Sequence, residues 1–237
     1  MNPKKDIRQS SPPATNRVDS PKPQPKATIL QGEILGINDS ETDSPIGSFD
    51  FRNFSYPSPR GWQDADSKQF SLKNGQRELT DEKIGMAYVA TKFGDVTGDG
   101  QDEAFVILRV KTGGSAIPQI VYIYEWRNKR PELLWYFRTG DRADGGLKRV
   151  YEKNGDLVIE LFGRDRYIFD QMETKKIVGD EQQLCCPTHF TRNVYKKKGH
   201  RFVLEGKRLT YSLEDKNAEP EKNMNEKRLE ENRESRQ

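Results

Sequence analysis

Between Gln119 and Arg127 the chain reads Ile120-Val121-Tyr122-Ile123-Tyr124-Glu125-Trp126. In an extended chain, alternate side chains point to opposite faces. Ile120, Tyr122, Tyr124 and Trp126 share one face, and Val121 and Ile123 share the other. A strand that is apolar on both faces has to be covered on both. This segment therefore belongs near the middle of a layered β structure. Leu133 to Phe137 is apolar on both faces in the same way.

The neighbouring segments fit that frame. Phe49 to Phe54 alternates apolar and polar residues, the pattern of a half-buried strand. Gln69 to Lys73 does the same and ends in Asn74-Gly75, a strong hairpin signal. Met86 to Ala90, Ala104 to Val110, Gly146 to Tyr151, Leu157 to Phe162, Phe190 to Lys196 and Arg201 to Glu205 read as further strands. Thr112-Gly113-Gly114-Ser115 reads as a flexible connection, and Asn154-Gly155 marks a second tight turn. Helical periodicity is weak, with room for a turn in Gln76 to Lys83 and in Gln171 to Gln183. The expected class is all-β and mainly antiparallel: a single compact meander, sandwich or partial-propeller-like domain with disordered tails. A complete propeller needs four to eight blades, and no repeat of fixed period is present.

Hydrophobic and charged residues each make up 32% of the 237 residues, and the polarity concentrates at the ends. Pro3, Pro12, Pro13, Pro21, Pro23 and Pro25 stand among Ser, Lys and Asn, with almost nothing to bury. Residues 1–45 are expected to be a disordered Pro/Ser-rich tether, 46–210 the β-rich domain, and 211–237 a charged disordered tail. The net charge of +3 makes no broad electrostatic case for nucleic acid. No segment is apolar enough for a transmembrane span. The partners left are a protein or a polysaccharide. The basic run Lys196-Lys197-Lys198-Gly199-His200-Arg201 reads chiefly as a solvated hairpin tip whose lysines discourage further strand pairing.

Chemistry concentrates in Asp95-Val96-Thr97-Gly98-Asp99-Gly100-Gln101-Asp102-Glu103, directly ahead of the strand that starts at Ala104. Hard cations such as calcium take several oxygen ligands from a short flexible loop. Four carboxylates in so short a loop repel one another unless a cation or solvent screens them. The competing use is a metal-free turn, because Asp side chains also bond their own backbone. A helix-flanked calcium loop carries a bidentate Glu at position twelve. Here that position is Val106, inside a strand pattern. The shorter pattern running straight into a strand resembles the calcium loop of FG-GAP and VCBS repeats. The resemblance covers these nine residues and the strand after them. It implies a calcium cofactor and a loop that caps a hairpin or propeller blade. It assigns Asp95, Asp99 and Glu103 as carboxylate ligands, Gln101 as the backbone-carbonyl ligand and Thr97 as the third-position ligand. Thr97 departs from the family, which has Asn or Asp there. Asp102 falls between ligand positions and is expected to face solvent or the neighbouring strand. Gly140-Asp141-Arg142-Ala143-Asp144-Gly145-Gly146 is a weaker acidic stretch, interrupted by Arg142.

Cys185 and Cys186 are adjacent. An unstrained disulfide needs Cα atoms roughly 4.4–6.8 Å apart, whereas neighbours lie ~3.8 Å apart. A strained vicinal disulfide and a pair of reduced thiols both stay open. His189 and His200 beside two adjacent sulfurs make a poor zinc set. Tyr122, Tyr124, Trp126, Trp135, Tyr136 and Phe137 are either core or a stacking surface, and two-sided apolar strands favour core.

Two functions follow as expectations. One is a non-catalytic recognition or scaffolding domain with calcium in its loop. The other is a hydrolase or thiol-dependent enzyme using the acidic loop or the Cys pair. Lys4 and Lys5 precede no apolar stretch of the kind a secretion signal carries, which by itself reads as cytosolic. The Pro/Ser-rich leader and the family resemblance imply a periplasmic or cell-surface setting, where free calcium is high. The arrangement of acidic loop, Gly-Asp-Arg stretch and Cys-Cys-Pro turn is also similar to that of bacterial proteins with no assigned activity.

Overall fold

The computed structural model describes residues 37–59, 68–80, 83–111, 118–140, 145–170 and 187–222. Fourteen strands occur among them. In chain order these are β1 (Ser55–Pro57), β2 (Gln69–Ser71), β3 (Gln76–Arg77), β4 (Gly85–Gly94), β5 (Glu103–Lys111), β6 (Gln119–Arg127) and β7 (Arg130–Arg138). They continue as β8 (Leu147–Lys153), β9 (Asp156–Phe162), β10 (Phe169–Asp170), β11 (His189–Lys198), β12 (Arg201–Leu204), β13 (Leu209–Ser212) and β14 (Glu221–Lys222).

The pairing is antiparallel throughout. One sheet runs β10-β7-β6-β5-β4-β3. A second runs β14-β13-β11-β9-β8, with β12 beside β13 on the same flank of β11. β1 and β2 form a separate hairpin. No sheet among the described residues closes into a barrel.

The two faces of β6 enter two different cores. Val121 and Ile123 join Phe105, Ile107, Trp135 and Phe137 against Leu147, Leu157, Ile159 and Leu161 of the second sheet. Ile120, Tyr122 and Tyr124 join Val106, Leu108 and Tyr136 on the opposite face. That face is covered by Ile46, Phe51, Tyr56, Phe70 and Leu72 from the chain ahead of β3. The first sheet is therefore the middle of three layers, as its two-sided apolar strands require. Each such large side chain, buried from water, contributes about 1.5–3 kcal/mol. The aromatic cluster of β6 and β7 is core.

Three of the two-residue hairpin turns among the described residues share one dihedral pattern. Asn74-Gly75 and Asn154-Gly155 take positive φ at both positions (51° and 77°; 56° and 79°), the mirror-image turn that matches strand twist. Asn128 and Lys129 do the same at 53° and 60° between β6 and β7, without a glycine to announce the turn.

The structure corrects the sequence reading in several places. Phe49 to Phe54 is not a strand. Two short 3-10 turns, Pro45–Ser48 and Phe51–Asn53, occupy that region. The Asp50 carboxylate accepts from the Arg52 amide at 3.0 Å and from Asn53 Nδ2 at 2.8 Å, which folds the chain back. Phe49, Phe51 and Phe54 then meet in one aromatic cluster, with ring centroids 5.0–5.9 Å apart. Gln76 to Lys83 holds β3 and a Thr80–Lys83 bridge in place of a helical turn. Gln171 to Gln183 lies outside the described residues.

Ordered structure also extends past the expected borders at 46 and 210. Ile37 is buried between the sheets, and β13 and β14 carry the fold to Lys222. Apart from Ile37, these additions are held chiefly by hydrogen bonds and edge pairing, which leave no periodic pattern to read. The expected tether and tail otherwise cover residues 1–36 and 223–237, which lie outside the described residues. Among the described residues no helix is long and apolar enough to cross a membrane.

Candidate functional site

The acidic loop connects β4 to β5 as a hairpin, with Gly94 opposite Glu103. Val96 drops into the intersheet core and anchors it. Gly98 and Gly100 have φ of 77° and 83°, a conformation that L side chains adopt only with strain. Asp95 accepts the Gly98 amide at 2.6 Å through one carboxylate oxygen and the Gly100 amide at 2.9 Å through the other. Asp99 accepts from the Gln101 amide at 2.9 Å.

Glu103 lies deeper, at 1% exposure. Its Oε2 accepts from the backbone amides of Val96 (2.9 Å) and Thr97 (3.1 Å), and its Oε1 accepts from Thr97 Oγ1 at 3.2 Å. Burial pushes the Glu103 carboxyl up to about 7, with Asp99 and Asp95 adding repulsion and the Val96 and Thr97 hydrogen bonds opposing. Among the described residues, none of Asp95, Asp99, Asp102 and Glu103 forms an ion pair.

The fit to a hard cation has two sides. By chemistry the donor set suits calcium: three carboxylates, the Thr97 hydroxyl and the Gln101 carbonyl. By geometry the carboxylates are turned to backbone amides. Among the described residues, no three acidic, histidine or cysteine side chains converge around a common point. Carboxylate oxygens have lone pairs to spare, so the amide bonds do not bar a metal.

Asp102 does not face solvent alone. It accepts from Thr42 Oγ1, and its amide donates to Ser44 Oγ at 2.9 Å. It thus ties the loop to a strap formed by residues 37–44. Farther along the strap, Asp39 accepts from Tyr88 Oη at 2.6 Å, the Thr91 amide at 2.8 Å and Arg52 at 3.0 Å. Sequence reasoning passed over the strap, because its ties are polar and reach across long separations.

The remaining candidates disperse. Cys185, Cys186 and residues 141–144 lie outside the described residues. His189 and His200 stand at opposite ends of the β11 hairpin, roughly 35 Å apart at strand rise. His189 is engaged at both ring nitrogens, by Arg164 at 2.9 Å and Thr188 Oγ1 at 2.8 Å. The basic run is an exposed hairpin tip in which Lys198 pairs with Glu205 at 3.1 Å.

A second charged cluster was also missed. Glu160, buried in β9, accepts from Lys148 at 2.6 Å and from Arg192 at 2.8–2.9 Å. These contacts hold its carboxyl below the usual range even though burial opposes them. A glutamate inside the apolar run Leu157 to Phe162 was the signal available.

Comparison with known protein families, with characterised proteins and with solved structures finds no match to this chain.

Proposed function

We propose that this chain is a non-catalytic recognition or scaffolding β-domain, working outside the cytosol, whose acidic loop takes a calcium ion. The observation that carries the reading is Glu103. A carboxylate at 1% exposure is repelled by Asp95 and Asp99 of the same hairpin loop, with no cationic side chain paired to it among the described residues. Buried charge is ordinarily paired or metal-bound. A divalent ion held by Asp95, Thr97, Asp99, Gln101 and Glu103 offsets the excess and pins the β4–β5 hairpin. The extracytoplasmic setting follows from the calcium concentration such a loop needs. A scaffolding role accords with the charged groups described above, whose partners are other parts of the fold.

Calorimetric titration tests this. Calcium at one hundred times its dissociation constant stabilises a folded protein by about 2.7 kcal/mol. For a chain of this size that raises Tm by roughly 5–10 °C. Asp95→Asn together with Asp99→Asn should abolish both the heat and the shift. No heat and no shift with millimolar calcium would remove the metal from the reading.

A further inference from the structure

Where the two sheets meet, a cleft of about 440 Å³ opens between β4 and β8. β3 pairs only with Met86 and Ala87, so the later half of β4 is a sheet edge, and β8 is the edge of the second sheet. The strap crosses between them. The Ser40 amide donates to the Thr91 carbonyl at 3.0 Å, and Ser40 Oγ accepts from the Phe93 amide at 3.1 Å. Ile37, Phe93 and Val150 give the cleft apolar walls. Lys92, Lys148 and Arg149 give it three cations.

These cations differ in standing. Lys148 is committed to Glu160 at 2.6 Å. Lys92 and Arg149 form no ion pair among the described residues. Burial holds the Lys92 ammonium below its ordinary range; the attraction of Asp39, which outweighs the repulsion from Arg149, offsets this only in part. Asp39 is already spent on Tyr88, Thr91 and Arg52. A further carboxylate near this edge, Glu152, packs its Cβ against Gly94 and accepts the Gly155 amide at 2.6 Å. Two cations without an ion pair among the described residues thus line one concave, partly apolar space.

We infer that the cleft between β4 and β8 binds a ring-sized molecule bearing a phosphate monoester, with Lys92 and Arg149 holding the phosphate. A phosphate monoester carries close to two negative charges at neutral pH, which matches the two unpaired cations. A guanidinium fork and an ammonium are the side chains that grip such oxygens. The volume lies within the range of small-molecule sites. The Ile37, Phe93 and Val150 walls leave a place for a ring that inorganic phosphate would not use. The cleft shares no lining residue with the acidic loop. The inference supplies a ligand for the recognition role and stands whether or not that loop takes calcium.

The test uses the full chain in calcium-free buffer, with amide NMR and calorimetry. The probes are inorganic phosphate, a hexose phosphate and a hexuronate. The expected result is that hexose phosphate shifts the Phe93 and Val150 amides and binds more tightly than inorganic phosphate, with the hexuronate weakest. The Lys92→Met, Arg149→Gln double variant should lose about tenfold or more in hexose phosphate affinity. Lys129→Met, at the β6–β7 turn, should lose none. Neither cleft cation forms an ion pair among the described residues, so an unchanged Tm will show that the variant is folded. No shift at Phe93 and Val150 with tens of millimolar hexose phosphate overturns the inference. Equal affinity in the double variant, or tightest binding of the hexuronate, overturns it as well.

Discussion

Glu103→Gln should stabilise the calcium-free protein at pH 8, although it removes a charge from the residue that carries the functional reading. The native carboxyl titrates near 7 in the fold, against an ordinary value of 4.5. The folded state therefore holds the proton more tightly than the unfolded state does. Between those two values the folded protein binds more protons, so stability falls as pH rises. The contribution is neutral below pH 4.5 and fully unfavourable above 7. A difference of this size corresponds to about 3 kcal/mol, as an upper figure.

Glutamine keeps the shape. Its carbonyl oxygen can accept the Val96 and Thr97 amides in place of Oε2, and its amide can donate to Thr97 Oγ1. Urea unfolding of both proteins in chelator, from pH 4 to pH 8, gives the comparison. The variant should be more stable by up to about 3 kcal/mol at pH 8, equivalent to roughly 6–12 °C in Tm, with the gap closing toward pH 4. With calcium present the order should reverse, because the variant has lost a ligand. A gap that stays constant across this pH range, or a variant that is less stable in chelator at pH 8, would refute the account of the loop.

Three further outcomes follow from the contacts. Glu160→Gln should cost about 2 kcal/mol by urea unfolding. This is less than a fully buried pair would lose, because Lys148 and Arg192 remain 20% and 32% exposed. Since the Glu160 carboxyl is held below its ordinary value, its contribution is present above pH 4.5 and disappears as pH falls further, so the cost should shrink in acid. Asp39→Ala removes the acceptor for the Thr91 amide and should cost about 1–3 kcal/mol. Hydrogen exchange at the Ser40 amide should accelerate more than exchange at the centre of β6. Gly94→Ala brings a Cβ to 2.4 Å from Glu152 Cβ and should cost about 1–3 kcal/mol; Glu152→Gly in the same chain should recover part of it, as a double-mutant cycle would measure.

Local chemistry made much of this molecule readable in one dimension. The two faces of β6 follow from a side-chain period of two, so Ile120 to Trp126 announced both the central sheet and its double covering. Asn74-Gly75 and Asn154-Gly155 announced their hairpins, because few other residue pairs tolerate those dihedrals. The acidic run before Ala104 announced a turn dense in oxygen donors.

Contacts between distant residues were beyond that reading. Asp39 holds Thr91 across 52 positions and Thr42 holds Asp102 across 60, and neither tie leaves a periodic trace. Phe49 to Phe54 alternated like a strand, yet Asp50 bent it into turns over an aromatic cluster that only folding assembles. The loop composition named Asp95, Asp99 and Glu103, but the direction each carboxylate points depends on backbone amides presented by the folded hairpin. The cleft between β4 and β8 exists because two sheet edges converge, and it brings Lys92 beside Arg149 from opposite layers. Side-chain alternation and turn preference act within a few residues and survive as pattern. Convergence, burial and charge compensation act between elements and arise only when the layers close.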